Sequence, residues 1–557
     1  MKFIGKFILT LLLLLIFIVV VLYFLLQTQW GAGWAGRFIS DRTDYHLSLT
    51  KIEHNFSSPS HLILDNVTFG HDGQPAVLVA NRVDLGLALT QFSNPFHFAS
   101  IEFMRGSLDV ANNNLAWPLQ ANRLQLTDMA VNSPHFSLPI SAQRVNGGVM
   151  PWQPKENNFL GENANFQLSA GSMELNGIPG NNVLLQGRIA QDQLVFSNVG
   201  ADLARGSMTG NAERDAEGNW NIANLRLNDI RLQTDSSLTT FLQPIFDLPS
   251  VHIGRLDLIN AHLQGPEWAV TDLDLTLKDL TLREGDWQSE MGTLSMNASN
   301  FINGRLELND PIVNMDFSPQ GINISQFSSR WVNGLLRAKG QWIRNNKRLM
   351  LDELVVAGLE YTLPDNWRDR WMQPLPDWLD SVAVKKFSAN RNLIIDINPA
   401  YPFQLTALDG KGSDLLLARN HQWGIWRGEL SFNAAEATFN RTDIRRPSIA
   451  LNADANQISV TEMSAFAANG MLEGLATVTQ QPTRDLSLTL NGREVPTNIL
   501  HNWGWPTVPQ AENSALQLQL NARLENNKPL RDSASGKLTI SVNGQTTEQN
   551  MVNGSVY

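Results

Sequence analysis

The stretch NLRLNDIRL, residues 224–232, carries the local pattern on which the fold prediction rests. Leu225 and Leu227 alternate with polar residues, as in a β-strand that buries one face. The alternation stops at the Asn-Asp pair and resumes with Ile230 and Leu232 on the opposite parity. The backbone of the chain is therefore expected to change its geometry at this pair.

The same unit recurs along the chain. It reads Leu-x-Leu-x-Asp/Asn, then an apolar residue, any residue, and another apolar or small residue. Close copies are HLILDNVTF (61–69), RLQLTDMAV (123–131), RLDLINAHL (255–263) and DLDLTLKDLTL (272–282), and looser copies are RLELNDPIV (305–313) and RLMLDELVV (348–356). A chain of this composition produces the strict pattern by accident about once or less, so the recurrence indicates a repeated structural unit.

Two backbone geometries explain the unit. The first is a two-residue hairpin loop at the Asn-Asp pair, but such loops prefer Asn-Gly or Asp-Gly, and no copy has that glycine. The second is a bend or bulge within a strand that continues, and the missing glycine favours it. In both geometries Leu225, Leu227, Ile230 and Leu232 face one apolar side, and the Asp serves the corner rather than chemistry.

Short strands account for most of the remaining chain. Alternating runs separated by Asn, Asp, Gly and Pro clusters predict an all-β, mostly antiparallel body. Its long apolar face must be covered, and the sequence offers few helices to cover it. Three covers remain open: a second sheet, closure into a barrel or prism, or an apolar occupant that is not protein.

The first residues predict a membrane anchor. An apolar run from Phe7 to Leu26, broken only by Thr10, has about the length needed to cross a ~30 Å hydrocarbon core. The alternative is a cleaved signal peptide, whose apolar region spans only ~7–15 residues and which needs a cleavage site that GAGWAGRF lacks. Lys2 and Lys6 precede the run and no lysine closely follows it, which favours a cytoplasmic N-terminus and an extracytoplasmic body.

Composition argues against several classes of function. The 557 residues carry a formal net charge of −11, so the chain has no basic footprint for nucleic acid, which is not an expected partner. The chain has no cysteine, which excludes disulfides, Cys-containing zinc sites and thiol catalysis. Its hydrophobic fraction of 43% is ample for a folded core.

Shifts in the pattern predict five segments. Residues 1–28 form the anchor, residues 29–360 the N-terminal part of the β body, and residues 381–544 its C-terminal part. Between these parts, residues 361–380 contain tryptophans at helical spacing, interrupted by Pro374 and Pro376, which predicts a short helical boundary. The polar residues 545–557 are predicted to be disordered.

Three short motifs are weak candidates for sites. GAGWAG (31–36) matches a dinucleotide-binding pattern, but that motif needs a strand before it, and here a membrane helix precedes it. His54, His61 and His71 lie close in sequence without the spacing of metal ligands, so strand ends explain them better. GSMTG (206–210) has its serine in the wrong place for a nucleophile elbow.

Acidic and aromatic clusters also favour structural roles. Asp257, Asp272 and Asp274 lie on the polar parity of their strands, so solvated faces explain them better than acid-base catalysis. The tryptophans of WGIW (423–426) and WGW (503–505) favour core and turn packing, with a membrane-facing or partner-docking rim as the alternative.

Longer stretches resemble a known family. The anchor followed by SDRTDYHLSLTKIEHNFSSPSHLILDNVTFGHDGQPAVLVANRVDLGLAL (40–89) resembles the opening of the AsmA family of bacterial envelope proteins. GLEYTLPDNW (358–367), RNLIIDI (391–397), HQWGIWRGEL (421–430) and VPTNILHNWGWP (495–506) are similar to one branch of that family. The resemblance implies an inner-membrane helix and an elongated periplasmic β-groove, taco-like or prism-like, with an apolar interior. The role it implies is phospholipid transport toward the outer membrane, or maintenance of that membrane.

The functional hypothesis joins this resemblance to the leucine pattern. Acyl chains would lie along the apolar face, without catalysis, cofactor or metal, and an outer-membrane or periplasmic protein is a possible partner. The predicted groove-lining residues are Leu124, Leu126, Met129, Val131, Leu225, Leu227, Ile230, Leu232, Leu256, Leu258, Leu275, Leu277, Leu280, Leu282, Leu306, Leu308, Leu349 and Leu351. The alternative is a scaffold for outer-membrane protein biogenesis, with its core packed shut.

Overall fold

The computed structural model describes residues 2–110, 117–133, 140–155, 158–175, 178–480, 482–525 and 528–557. An apolar N-terminal helix precedes many strands, most of them antiparallel, which confirms the all-β prediction. The chain divides into two compact units: residues 1–265 with 277–287, and residues 266–276 with 288–557.

Five α-helices occur in the described residues. They are α1 Lys2–Leu26, α2 Gln29–Ser40, α3 Leu238–Phe246, α4 Trp367–Met372 and α5 Asn498–Asn502, with 3-10 turns at Leu89–Phe92 and Leu530–Ser533. Within α1, Ile4–Leu26 is long and apolar enough to cross a membrane, which fits the predicted anchor. The structure also contains the predicted short helix between residues 361 and 380, as α4, but this helix lies inside the second unit.

The strands of the first unit form a meander. They are β1 Tyr45–Ser48, β2 Lys51–His54, β3 His61–His71, β4 Leu78–Gly86, β5 His97–Phe98, β6 Ser100–Asp109, β7 Gln120–Ala121, β8 Leu124–Ser133, β9 Ile140–Met150, β10 Asn163–Leu175, β11 Ile178–Ala190, β12 Gln193–Leu203, β13 Gly206–Arg214, β14 Trp220–Asn228, β15 Arg231–Gln233, β16 Ser250–Gln264, the second part of β17 Trp268–Arg283, and β18 Asp286–Trp287. From β8 to β14 each strand pairs antiparallel with the next, whereas β6–β8 and β14–β16 are parallel.

The strands of the second unit follow the same plan. They are the first part of β17, then β19 Gly292–Asn297, β20 Asn300–Asn303, β21 Leu306–Ser318, β22 Gly321–Trp331, β23 Gly334–Ile343, β24 Arg348–Ala357, β25 Glu360–Thr362, β26 Ser381–Asp396, β27 Phe403–Arg419, β28 Gln422–Asn433, β29 Glu436–Phe439, β30 Thr442–Ala453, β31 Gln457–Ala467, β32 Gly470–Thr479, β33 Asp485–Val495, β34 Ser514–Arg523, β35 Ser535–Val542, β36 Gln545–Val552 and β37 Ser555–Val556. β24 and β26 are parallel, and the strands after β26 pair antiparallel.

The predicted corner is a left-handed residue inside a strand that continues. Asp229 has φ +53°, and both β14 and β15 run parallel to β16. Pairing keeps one register across the corner, from Asn228 opposite Ile259 to Arg231 opposite His262. The hairpin interpretation is therefore wrong, and the bend or bulge interpretation is confirmed.

The neighbouring strand turns the same corner at the same level. Asn260 of β16 also has φ +53°, and its side-chain Nδ2 donates a hydrogen bond to Asp229 Oδ1 at 2.7 Å. Asn and Asp tolerate this conformation better than other residues with a side chain. Asn66, Asp128, Asp279 and Asp310 have positive φ in four further copies of the unit, so the repeated sequence encodes a repeated corner.

Two regions differ from the predictions. Residues 545–557 are not disordered, because β36 pairs with β35 from Gln545 to Met551 and buries Met551. The backbone hydrogen bonds to β35 hold this polar strand in place with little apolar burial, so the prediction of disorder from its polar composition was wrong. The helix α3 was not predicted, since it is short and contains Pro244; the Ser237 hydroxyl accepts from the Thr240 N–H at 3.2 Å and caps its start.

The GAGWAG motif is a packing device. A Cβ on Gly31 would lie 2.1 Å from the Leu25 carbonyl oxygen, where α2 turns back on the end of α1. A Cβ on Gly36 would lie 2.8 Å from the Leu47 oxygen of β1. These glycines let α2 pack closely between the anchor and the sheet, which agrees with the structural interpretation of the motif.

The corner at Asp229 makes a stability prediction. Asp229→Val should lower the free energy of unfolding of the first unit by about 1–2 kcal/mol relative to Asp229→Gly, because a β-branched residue is strained at this φ. Both variants lose the hydrogen bond from Asn260, so the difference between their unfolding free energies reports the cost of the backbone conformation at residue 229. Denaturant unfolding measures it, and a valine variant as stable as the glycine variant would contradict the corner geometry.

Candidate functional site

The second unit contains a large apolar cavity that is partly open to solvent. Its volume is about 1200 Å³, and its walls come from β26–β34 and β36, from α4 and α5, and from the residues next to them. The lining residues are Leu363, Trp367, Trp371, Ile394, Tyr401, Phe403, Leu405, Leu408, Phe432, Asn433, Ala434, Phe439, Ile444, Pro447, Ser448, Ile449, Met463, Ser464, Ala465, Leu472, Leu488, Leu490, Leu500, Trp503, Gly504, Trp505, Leu518, Leu520, Leu530, Arg531, Ala534 and Met551. The inner parity of successive strands supplies most of these side chains.

Tryptophans form parts of the wall, and three of them donate their indole N–H to protein acceptors. The Nε1 of Trp503 donates to the Phe439 oxygen at 3.1 Å, that of Trp505 to Gln549 Oε1 at 2.7 Å, and that of Trp367 to Asp396 Oδ2 at 3.1 Å. A buried indole needs such a partner. Because these donors are already used, the rings offer the cavity apolar surface rather than hydrogen bonds.

Few polar groups reach the cavity. Asn433, Ser448 and Ser464 lie in the wall, and burial raises the pKa of the Tyr401 phenol, which therefore stays neutral. Arg531 is the one charged residue among the described lining residues, and its Nε donates to the Gly554 oxygen at 3.1 Å. The lining brings together no acid-base pair and no nucleophile with a base, and it suits an apolar ligand.

The predicted groove residues of β8 lie in a packed core. Leu124 and Met129 are 0% exposed, and Leu126 is also buried. They belong to a cluster in the first unit with Phe103 and Trp152, and Val131 packs against its edge. At β8 the apolar face is covered by protein, so these side chains do not line an open groove.

The other predicted residues differ in exposure. Ile230, Leu277 and Leu282 are buried, and Leu306 is exposed. The half-buried set comprises Leu225, Leu227, Leu232, Leu256, Leu258, Leu275, Leu280, Leu308, Leu349 and Leu351. Leu227 lies opposite Leu258, and Leu225 opposite Leu256, so β14 and β16 form one half-covered leucine face within the first unit. Leu349 and Leu351 pack against small clusters around Leu379 and Leu415.

The sequence prediction missed the cavity, since none of the eighteen predicted residues lines it. The available signal was aromatic: WGW and the tryptophans of α4 supply cavity walls. In WGIW, Trp426 is buried, whereas Trp423 stacks on Trp371 with ring centroids 5.5 Å apart. The leucine repeat instead predicted groove residues on strands that precede the cavity in the chain.

The weak candidates have structural explanations. His54, His61 and His71 each have a separate partner, namely the Tyr23 hydroxyl, the Asp84 carboxylate and the Asp44 carbonyl. No group of potential metal ligands forms among the described residues. Asp257 is half-buried and pairs with Arg255 at 2.7 Å, whereas Asp272 and Asp274 are exposed, as expected of a solvated strand face.

Comparison with known proteins identifies the family. The family model described as "AsmA family" matches residues 1–553. AsmA family protein YicH of Escherichia coli (strain K12) is 51% identical over 557 residues, which cover 100% of this chain and 98% of that protein. These matches extend over the anchor, both units and the cavity. The chain belongs to the AsmA family.

Proposed function

We propose that this protein is anchored in the bacterial inner membrane and binds phospholipid acyl chains in the cavity of its second unit. It thereby contributes to phospholipid transport or to outer-membrane homeostasis. The observation that carries the proposal is the apolar cavity of about 1200 Å³. Pockets for drug-sized ligands have volumes of about 300–1,000 Å³, so this one suits a larger apolar ligand.

The rim of the cavity supports an amphipathic ligand. Trp371 and Leu530 line the cavity and remain exposed, and the exposed Arg531 lies beside Leu530. Acyl chains would occupy the apolar interior while a polar headgroup stayed in water near this rim, which avoids burying an unpaired charge. Moving acyl chains between apolar surroundings exchanges like for like, so the step costs little free energy.

The proposed mechanism is passive and involves no covalent chemistry. No catalytic pair forms among the described lining residues, and the proposed binding uses no cofactor. Direction would come from a partner, for which an outer-membrane or periplasmic protein is the natural class. Lys2 and Lys6, at the start of α1, favour a cytoplasmic N-terminus, so we expect both units to lie in the periplasm.

A scaffold with a closed core is the second candidate. It is favoured by the packed cluster around Leu124, Phe103 and Trp152 in the first unit. The two candidate functions make different predictions for the leucine face of β14 and β16, where Leu227 and Leu258 are only half-buried. Half-buried leucines are expected on a face that binds lipid, whereas the closed core of a scaffold would bury them completely.

A crosslinking experiment tests the cavity in the cell. A photo-crosslinking amino acid at Leu488, which lines the cavity, should yield adducts of phospholipid mass, because acyl chains would contact that side chain. The matched control is Leu475, which is 57% exposed on β32 and precedes Ala476, the residue paired with Leu488. Mass spectrometry reads the adducts, and equal yields at both positions would refute lipid binding in the cavity.

A charge in the cavity should block the same adduct. Leu520→Glu is expected to lower the adduct yield at Leu488 about tenfold or more, because a carboxylate among acyl chains costs at least the 1.4 kcal/mol that corresponds to that factor. Leu475→Glu adds the same charge outside the cavity and should leave the yield unchanged. An undiminished yield in folded Leu520→Glu protein would contradict the proposal.

A second pair of variants distinguishes a lipid-binding face at β14 from the closed core of a scaffold. Leu227→Glu should leave the protein folded, because the side chain keeps access to solvent, whereas Leu124→Glu should abolish folding of the first unit by burying an unpaired charge. Circular dichroism and limited proteolysis provide the readout. Loss of folding in both variants would instead favour a core that is closed at β14.

A further inference from the structure

The connection from β4 to β6 exposes a cluster of large apolar side chains. Leu89 is 99% exposed, Phe92 is fully exposed, and Phe96 is largely exposed. They lie within one short segment, residues 87–96, which contains the 3-10 turn and is called the apolar turn below. Single exposed apolar residues are ordinary, but such a group at one tip marks a surface that contacts something apolar.

The apolar turn is held in shape by its own hydrogen bonds. The Gln91 side chain accepts from the Ala88 N–H at 3.2 Å and donates to the Pro95 oxygen at 2.6 Å. The Asn94 N–H donates to the Thr90 oxygen at 2.8 Å. The backbone is thus satisfied locally, and the fold presents the apolar side chains outward rather than turning them into the core.

The apolar turn lies at the end of the sheet that meets the anchor. The Leu87 N–H donates to the Ser60 oxygen at 2.6 Å, which ties the turn to the β2–β3 connection. That connection carries the exposed Phe56, whose ring centroid lies 6.0 Å from that of Tyr23 in α1. The turn is therefore linked, through the β2–β3 connection, to the C-terminal end of α1.

A hydrogen-bonded histidine fixes this junction. His54 Nε2 lies 3.0 Å from the Pro59 carbonyl oxygen, which only accepts, so Nε2 carries the proton. His54 Nδ1 then accepts from the Tyr23 hydroxyl at 2.7 Å. Tyr23 lies near the end of the apolar helix, where aromatic residues favour the membrane interface. The sheet end is thus held at the level of the interface.

We propose that the apolar turn inserts Leu89, Phe92 and Phe96 into the membrane that α1 crosses, as a second point of attachment beside the helix. The occupant is the lipid surface rather than another protein, because the turn is hydrogen-bonded to the β2–β3 connection, whose exposed Phe56 lies beside Tyr23 of α1. Two attachment points prevent the sheet from pivoting about a single helix, so this end of the β-structure stays against the lipid. The proposal rests on α1 as a membrane span and does not depend on lipid in the cavity.

Site-specific labelling tests the proposal on the full chain. The protein has no cysteine, so Phe92→Cys provides a unique site for an environment-sensitive fluorophore in vesicles of phosphatidylethanolamine and phosphatidylglycerol. Gln74→Cys is the matched control, because Gln74 is exposed in the turn at the other end of the same two strands. The eleven residues of β3 separate the two ends by roughly 35 Å.

Quenching from either phase reads the position of the label. At Phe92→Cys we expect quenching by nitroxide-labelled lipids, protection from aqueous iodide, and a depth of about 5–10 Å below the headgroup level. At Gln74→Cys we expect the reverse. Thr90→Cys, in the same turn, repeats the measurement if labelling at residue 92 disturbs the protein. A label in the apolar turn that iodide reaches as freely as the label at residue 74 would overturn membrane insertion and leave the patch to a protein partner.

Discussion

One backbone constraint recurs in the repeated unit. The apolar residues change from every second position to the opposite parity at the Asn-Asp pair, so they can stay on one side of the sheet only if one residue there leaves the extended conformation. Asp229 and Asn260 do so side by side, and Asn260 donates a hydrogen bond to Asp229. Without this residue, a one-position shift would turn every following leucine to the other face. The corner therefore allows long strands to bend while one face stays apolar.

The same apolar parity leads to two different outcomes. Around β8 the face is sealed by side chains such as Phe103 and Trp152, and the interior is a packed core. In the second unit the walls stand apart, and tryptophans with satisfied N–H groups surround a cavity instead. Both arise from alternating strands, and the difference lies in what covers them. Lipid binding therefore requires places where the apolar face is not covered by other side chains.

The local parts of this fold were predictable, and the tertiary parts were not. The repeated Asn and Asp marked the corners because these residues adopt positive φ readily, and the apolar N-terminal helix followed from length and hydropathy. The cavity depends on the registers of many strands and on where α4 and α5 pack against them, and no local pattern encodes this packing. For the same reason Leu124 and Leu227 look alike in sequence, yet one is buried and the other half-covered. The strand β36 was missed because its ladder, rather than its composition, holds it in place.

The central claim is that the cavity holds lipid. Its most direct test is mass spectrometry of the lipids retained by the purified full chain, compared with a variant in which Ala465→Trp fills part of the cavity. Stoichiometric phospholipid on the native chain and clear loss in the filled variant are the predicted result. An equal lipid content in the two proteins, or a stable native chain without lipid, would contradict the claim.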